Sequence, residues 1–93
     1  MATKMMADGT SEEIALVEGS VVDSLREVVG GWLEFVYFAD GSILVINEEG
    51  KLEELPLNAA ATWIAHMKKG ISSDDCIVGN AVFVSANEAR LLD

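Results

Sequence analysis

Basic residues are scarce in this chain. Six Lys and Arg stand against sixteen Asp and Glu, a net charge of −10 over 93 residues. Phosphate backbones need a basic face, so direct binding of nucleic acid is excluded as an expectation. An anionic membrane surface is excluded on the same ground. Cysteine occurs once, at Cys76, so no intrachain disulfide can form. No signal-peptide pattern precedes the body of the chain, and together these predict a reducing, cytoplasmic setting. Histidine also occurs once, at His66. One His and one Cys cannot supply the set of N and S ligands a zinc site needs, so neither metal nor cofactor is expected. The longest apolar runs reach about five or six residues, far short of the roughly 20 that span a bilayer. Proline appears only at Pro56, and no low-complexity tract or internal repeat stands out.

What is present is an apolar half, ordinary for a folded domain. The length suits one small domain with a modest core, for which self-association would cover leftover apolar surface. Residues 1–11 have no periodic apolar pattern and are expected as a flexible N-terminal tail. Residues 12–93 are expected as a single α+β domain. The acids are concentrated: residues 12–54 carry eleven acids and two bases, residues 55–93 four acids and three bases. This excess has a plain reading as solubility charge and a sharper one as a face for a basic partner, or as an imitation of DNA phosphates.

Along the chain, residues 13–18 read as a first strand with apolar residues on both faces. Gly19 breaks it and Ser20 stands at an N-cap position with Asp23 three residues on. Val21, Leu25 and Val28 follow at helical spacing until Gly30 and Gly31 stop the helix. Residues 32–39 are rich in aromatic and β-branched residues and predict a second strand. Asp40-Gly41 signals a two-residue primed hairpin turn into a third strand at 42–47. Residues 48–51 form a Glu-rich turn, and 52–57 are extended around Pro56. Asn58 caps a helix over 59–69, with Lys68 and Lys69 in its last turn and Gly70 as its stop. A fourth strand is expected over 76–84, with a kink at Gly79-Asn80, and a final helix over 86–92 behind Ser85 and Glu88. The order is β-α-β-β-α-β plus a terminal helix. It fits a split βαβ arrangement, a four-stranded sheet with both helices on one face.

No catalytic constellation is present. His66 reads as a polar residue on a helix flank, and Cys76 as a small apolar residue. Ser20, Ser42 and Ser85 read as caps and turn residues, outside any nucleophile elbow. Val29-Gly30-Gly31 follows a helix and precedes a strand, the reverse of a phosphate-binding loop. Glu48-Glu49-Gly50 lacks the alternating ligands of a calcium loop. The chain is expected not to be an enzyme. The candidate partner-binding residues are Glu48, Glu49, Glu53 and Glu54, which should be exposed, with Trp32 and Trp63 as possible anchors. Core packing is the ordinary alternative for either indole.

The runs VGGWLE at 29–34, NEEGKL at 47–52, LPLN at 55–58 and GNAVFV at 79–84 form a pattern. With these, residues 13–85 resemble a family of small proteins of unknown function found in bacteriophages, plasmids and bacterial genomes. Between Asn58 and Gly79 the chain departs from that pattern, with a Trp- and Met-containing helix in place of a polar linker. The resemblance implies a small accessory protein of a phage or mobile element, acting in the host cytoplasm, and transfers no catalytic residue. The expected function is binding of another protein, a host factor or defence component. The alternatives are a small-ligand module or enzyme using Glu34 or Glu48, which a buried Glu34 would favour, and a homo-oligomeric regulatory subunit.

Overall fold

The computed structural model describes residues 2–92. Met1, the head of the expected tail, and Asp93, the end of the expected domain, lie outside the described residues. The elements in chain order are β1 (Ala2–Met5), β2 (Ser11–Ile14), α1 (Val21–Val29), β3 (Leu33–Tyr37), β4 (Ile43–Asn47), α2 (Ala59–Met67), β5 (Ala81–Val84) and α3 (Ala86–Ala89), with a 3₁₀ turn at Arg90–Leu92. The class is α+β, as the sequence predicts. The sheet has five strands rather than four, in the order β2-β1-β5-β4-β3, and every pairing is antiparallel. No helix among the described residues is long and apolar enough to cross a membrane.

The fifth strand comes from the segment expected as a tail. Ala2 and Met5 are buried, and β1 runs between β2 and β5. The turn that joins β1 to β2 explains why. Met6 N–H donates to the Thr10 carbonyl (2.8 Å) and Gly9 N–H to the Met6 carbonyl (3.0 Å). Asp8 Oδ1 accepts from both the backbone N–H and the hydroxyl of Thr10. Gly9 takes φ +95°, which a side chain would resist. The β3–β4 turn is built the same way. Phe38 N–H donates to Ser42, Gly41 N–H to Phe38, and Asp40 Oδ1 accepts from Ser42 N–H and Oγ–H. Gly41 has φ +89° while Asp40 stays at negative φ. The loop is therefore three residues ending in a left-handed glycine, not the two-residue primed turn expected at Asp40-Gly41.

The two main helices cover opposite faces of the sheet, not one. On β4, Ile43 and Val45 join Val82 and Val84 of β5 and Ala2 of β1 in a core under Val21 and Leu25 of α1. Leu44, with Ala81, Met5, Val36 and Phe38, packs under Ala61 and Ala65 of α2. The strands thus bury both pleat faces, which accounts for their unbroken apolar runs. Small residues on the inner face of α2 let that helix lie close to the sheet. The split βαβ expectation fails because the hairpin β1–β2 supplies β5 with an antiparallel neighbour, so no parallel crossover is made.

Boundaries differ from the sequence reading at three further places. The first strand expected at 13–18 is β2, an edge strand ending at Ile14. The strand expected over 76–84 is regular only at Ala81–Val84, since Gly79 at φ +78° breaks it and Val78 forms a lone bridge to Leu57. Gly70 does not supply the left-handed cap of α2. Lys69 does, at φ +56°, with Gly70 N–H bonded back to Ala65 and Lys69 N–H to His66. Gly70 is needed for space: a Cβ there would lie 2.3 Å from the Phe38 ring. Neither Ser20 nor Ser85 makes a side-chain cap, whereas Asn58 does.

Candidate partner-binding surface

The motif residues upstream of the acidic turn form one knot of hydrogen bonds. Gly30 closes α1 at φ +81°. Gly31 leaves room for Asn47, whose Nδ2 would stand 2.9 Å from any Cβ there. Asn47 is buried, and its Nδ2 donates to the Val29 carbonyl (3.2 Å) and to Glu53 Oε1 (3.3 Å). Its Oδ1 accepts from Glu49 N–H at 2.8 Å. Backbone bonds from Gly50 to Asn47, Glu53 to Glu49 and Leu55 to Gly50 finish a compact turn over residues 48–54.

Asn58 performs a similar task further along. It is 1% exposed, donates from Nδ2 to the carbonyls of Met5 and Gly79, and accepts from Ala61 N–H. One carboxamide therefore caps α2 and ties it to β1 and to the approach to β5. The glycines of the VGGWLE run and the asparagines of the NEEGKL and LPLN runs are explained by these folding roles.

Glu48, Glu49, Glu53 and Glu54 are all exposed, as expected. Lys51, the base between them, turns away and pairs with Asp75. That hydrogen bond raises the Lys51 pKa above its ordinary value and lowers the Asp75 carboxyl below its own. Among the described residues no ion pair compensates the four carboxylates of the turn. Leu52, at the tip, is 82% exposed.

Beside this turn a cavity of about 140 Å³ opens on the α2 side of β3 and β4. Val36, Ile46, Ile71, Ile77 and Cys76 supply its apolar wall, and Glu34, Glu48 and the Lys51–Asp75 pair its polar rim. Glu34 is exposed, so the burial that would favour a ligand site or carboxylate enzyme is not found. His66 Nε2 lies 2.8 Å from the Asp75 carbonyl. A carbonyl only accepts, so this nitrogen carries the proton and fastens α2 to the loop. Cys76 is half-buried and unpaired by any disulfide. Among the described residues no group of three His, Cys, Asp or Glu side chains could hold a metal ion.

Both tryptophans are on the surface, where core packing was the ordinary expectation. Trp32 is 61% exposed, with the Arg26 guanidinium 4.1 Å above its ring. Its carbonyl accepts from Glu48 N–H at 2.8 Å, which places it next to the acidic turn. Trp63 is 63% exposed and shares the outer face of α2 with Met67, one helical turn away. The site residues thus divide: Trp32 adjoins Glu48, while Trp63 belongs to a different surface. The sequence reading missed Tyr37, which is 68% exposed at the end of β3 and meets Phe35 edge-to-face at 6.2 Å. An aromatic at an alternate position next to a hairpin turn is the signal that marks it.

A family profile, described as a domain of unknown function, matches residues 4–92. The chain belongs to the DUF3846 family. No curated protein and no solved structure matches it. The DUF3846 match begins inside β1, so the family domain includes the segment whose composition reads as a tail. It also runs through α2.

Proposed function

We propose that this protein is a non-enzymatic accessory protein that acts by binding another protein, a host factor or defence component. The setting of a bacteriophage or mobile element, in the host cytoplasm, comes from the resemblance of its NEEGKL and LPLN runs. One observation carries the binding reading: four exposed carboxylates crowd one turn, Glu48 among them lines an apolar cavity, and the base between them is engaged with Asp75. Solubility alone does not require acids to be gathered next to an exposed Leu52 and Trp32. A basic protein surface with an apolar side chain at its centre would be matched in charge and in shape there. The commitment of His66 Nε2 to a backbone carbonyl supports the non-enzymatic part.

Affinity capture from a host lysate, followed by reconstitution from purified components, tests this. The expected result is a complex of fixed stoichiometry that weakens when Glu48, Glu49, Glu53 and Glu54 are all changed to Gln. A small metabolite retained through purification, with no protein partner reconstituting, would overturn it.

A further inference from the structure

The strand β3 is an open edge of the sheet. Phe38 N–H bonds to Ser42 and Glu48 N–H to Trp32, which places the even-numbered residues of this register in the hydrogen-bonded pairs with β4. Bonding alternates along an antiparallel strand. Leu33, Phe35 and Tyr37 therefore turn their N–H and C=O groups outward. The other edge, β2, is blunted by Glu12 and Glu13 in a four-residue strand. β3 has no proline, lysine or bulge to protect it.

The two faces beside this edge differ in chemistry. On the α1 side stand the rings of Phe35 and Tyr37. On the α2 side stand Glu34 and, beyond it, the acidic rim of the cavity. We propose that β3 receives an extended segment of the partner protein as a sixth, antiparallel strand. Side chains alternate faces along such a strand. The segment therefore alternates apolar residues, against Phe35 and Tyr37, with Lys or Arg, against Glu34 and Glu48. Charge selects a basic partner over a second copy of this chain. Two β3 strands paired together would bring both Glu34 carboxylates and both acidic turns to one face, in a chain already at −10. This inference rests on the reading that the protein acts by binding another protein.

The test uses the full ¹⁵N-labelled chain and a synthetic peptide of alternating Lys and Val. Binding is expected to slow amide exchange at Leu33, Phe35 and Tyr37 by roughly tenfold or more, with Glu34 and Val36 slow beforehand. N-methylation of the Val residues, which removes the bonding N–H groups, is expected to weaken binding by roughly tenfold or more, while N-methylation of the Lys residues has little effect. Glu34→Lys, at an exposed position, should reverse the preference toward a Glu-Val peptide. Equal binding of the Val-methylated peptide would overturn the proposal. So would perturbations centred on Trp63 and Met67, or protection of β3 that grows with protein concentration alone, the mark of a second copy. If a reconstituted partner depends on the acidic turn yet leaves the three amides unprotected, strand addition fails and the binding reading stands. If no purified protein binds, both fail.

Discussion

Asn58 shows how much one buried carboxamide can hold together. Its Nδ2 donates to the carbonyls of Met5 and Gly79, and its Oδ1 caps α2. Asn58→Ser keeps an oxygen near the cap but removes the amide donor that reaches the Met5 and Gly79 carbonyls; a loss of about 2 kcal/mol is expected. Asn58→Ala removes the cap as well and should cost about 1 kcal/mol more. Urea unfolding reads both, and a Ser variant as stable as the parent would show that water replaces the amide. Asp40 gives a prediction of a different kind. The Lys68 ammonium, 2.6 Å away, and then the Ser42 hydroxyl hold its carboxyl well below the ordinary 3.8. A depressed folded-state pKa stabilises the fold above the ordinary carboxylate value, and that contribution is lost as pH falls through the lowered one. In an NMR titration Asp40 should protonate below the usual carboxylate range. Lys68→Met should raise its midpoint without fully restoring it, because Ser42 still donates. An unchanged midpoint would mean the ion pair is open in solution. The sequence shows Asn58 as a cap, since a polar residue ahead of an apolar helix is a local signal. Its two other bonds span 53 and 21 residues and depend on the fold.

At the scale of elements, the helices were the most legible part. Val21 and Leu25 of the expected stripe are buried on α1, Val29 rather than the half-buried Val28 completes it, and Gly30 ends the helix. The strands were read less well, and residues 6–10 show why. MADGT repeats the chemistry of FADGS at 38–42: an Asp accepting from the Thr or Ser two residues on, with a left-handed Gly between. Recognising the second turn as a hairpin implies the first. What hides it is β1 itself, whose Ala, Lys and Met have weak strand propensity and whose burial comes from neighbours distant in sequence. The register that this hairpin sets also moves β2 toward the N-terminus from its expected place. Substitutions in the β3–β4 turn test the shared geometry. Gly41→Val forces a β-branched residue to φ +89°, with Ala86 Cβ only 3.3 Å from the new Cβ, and should cost about 2 kcal/mol or more. Ser42→Ala loses one hydrogen bond to Asp40 and should cost about 1 kcal/mol. Equal urea midpoints for the two variants would contradict the turn assignment.

For the whole molecule, the acid excess and the α+β class were legible from composition and spacing. The placement of helices on both faces was not, because strands that bury both pleat faces carry no alternation to say which helix covers which. A chain lacking residues 1–10 should fail to fold cooperatively: β5 loses its neighbour and Asn58 loses the Met5 carbonyl. A sharp, parent-like thermal transition in that truncation would show β1 to be dispensable. The acidic surface divides less simply. Its exposure could be foreseen from the mutual repulsion of the four glutamates, but the withdrawal of Lys51 to Asp75 could not, since those residues meet only through the folded loop. The measurement that bears most directly on the binding role is the association rate with the reconstituted partner across a range of salt. It is made for the parent and for the variant with Glu48, Glu49, Glu53 and Glu54 changed to Gln. Exposed charges act mainly on encounter, so the parent should associate faster at low salt and slow steeply as salt rises. The variant should keep the parent's circular dichroism, associate more slowly, and show a flatter salt dependence. Identical rates and salt slopes for the two proteins would contradict a role for the acidic turn in binding and leave it a solubility feature.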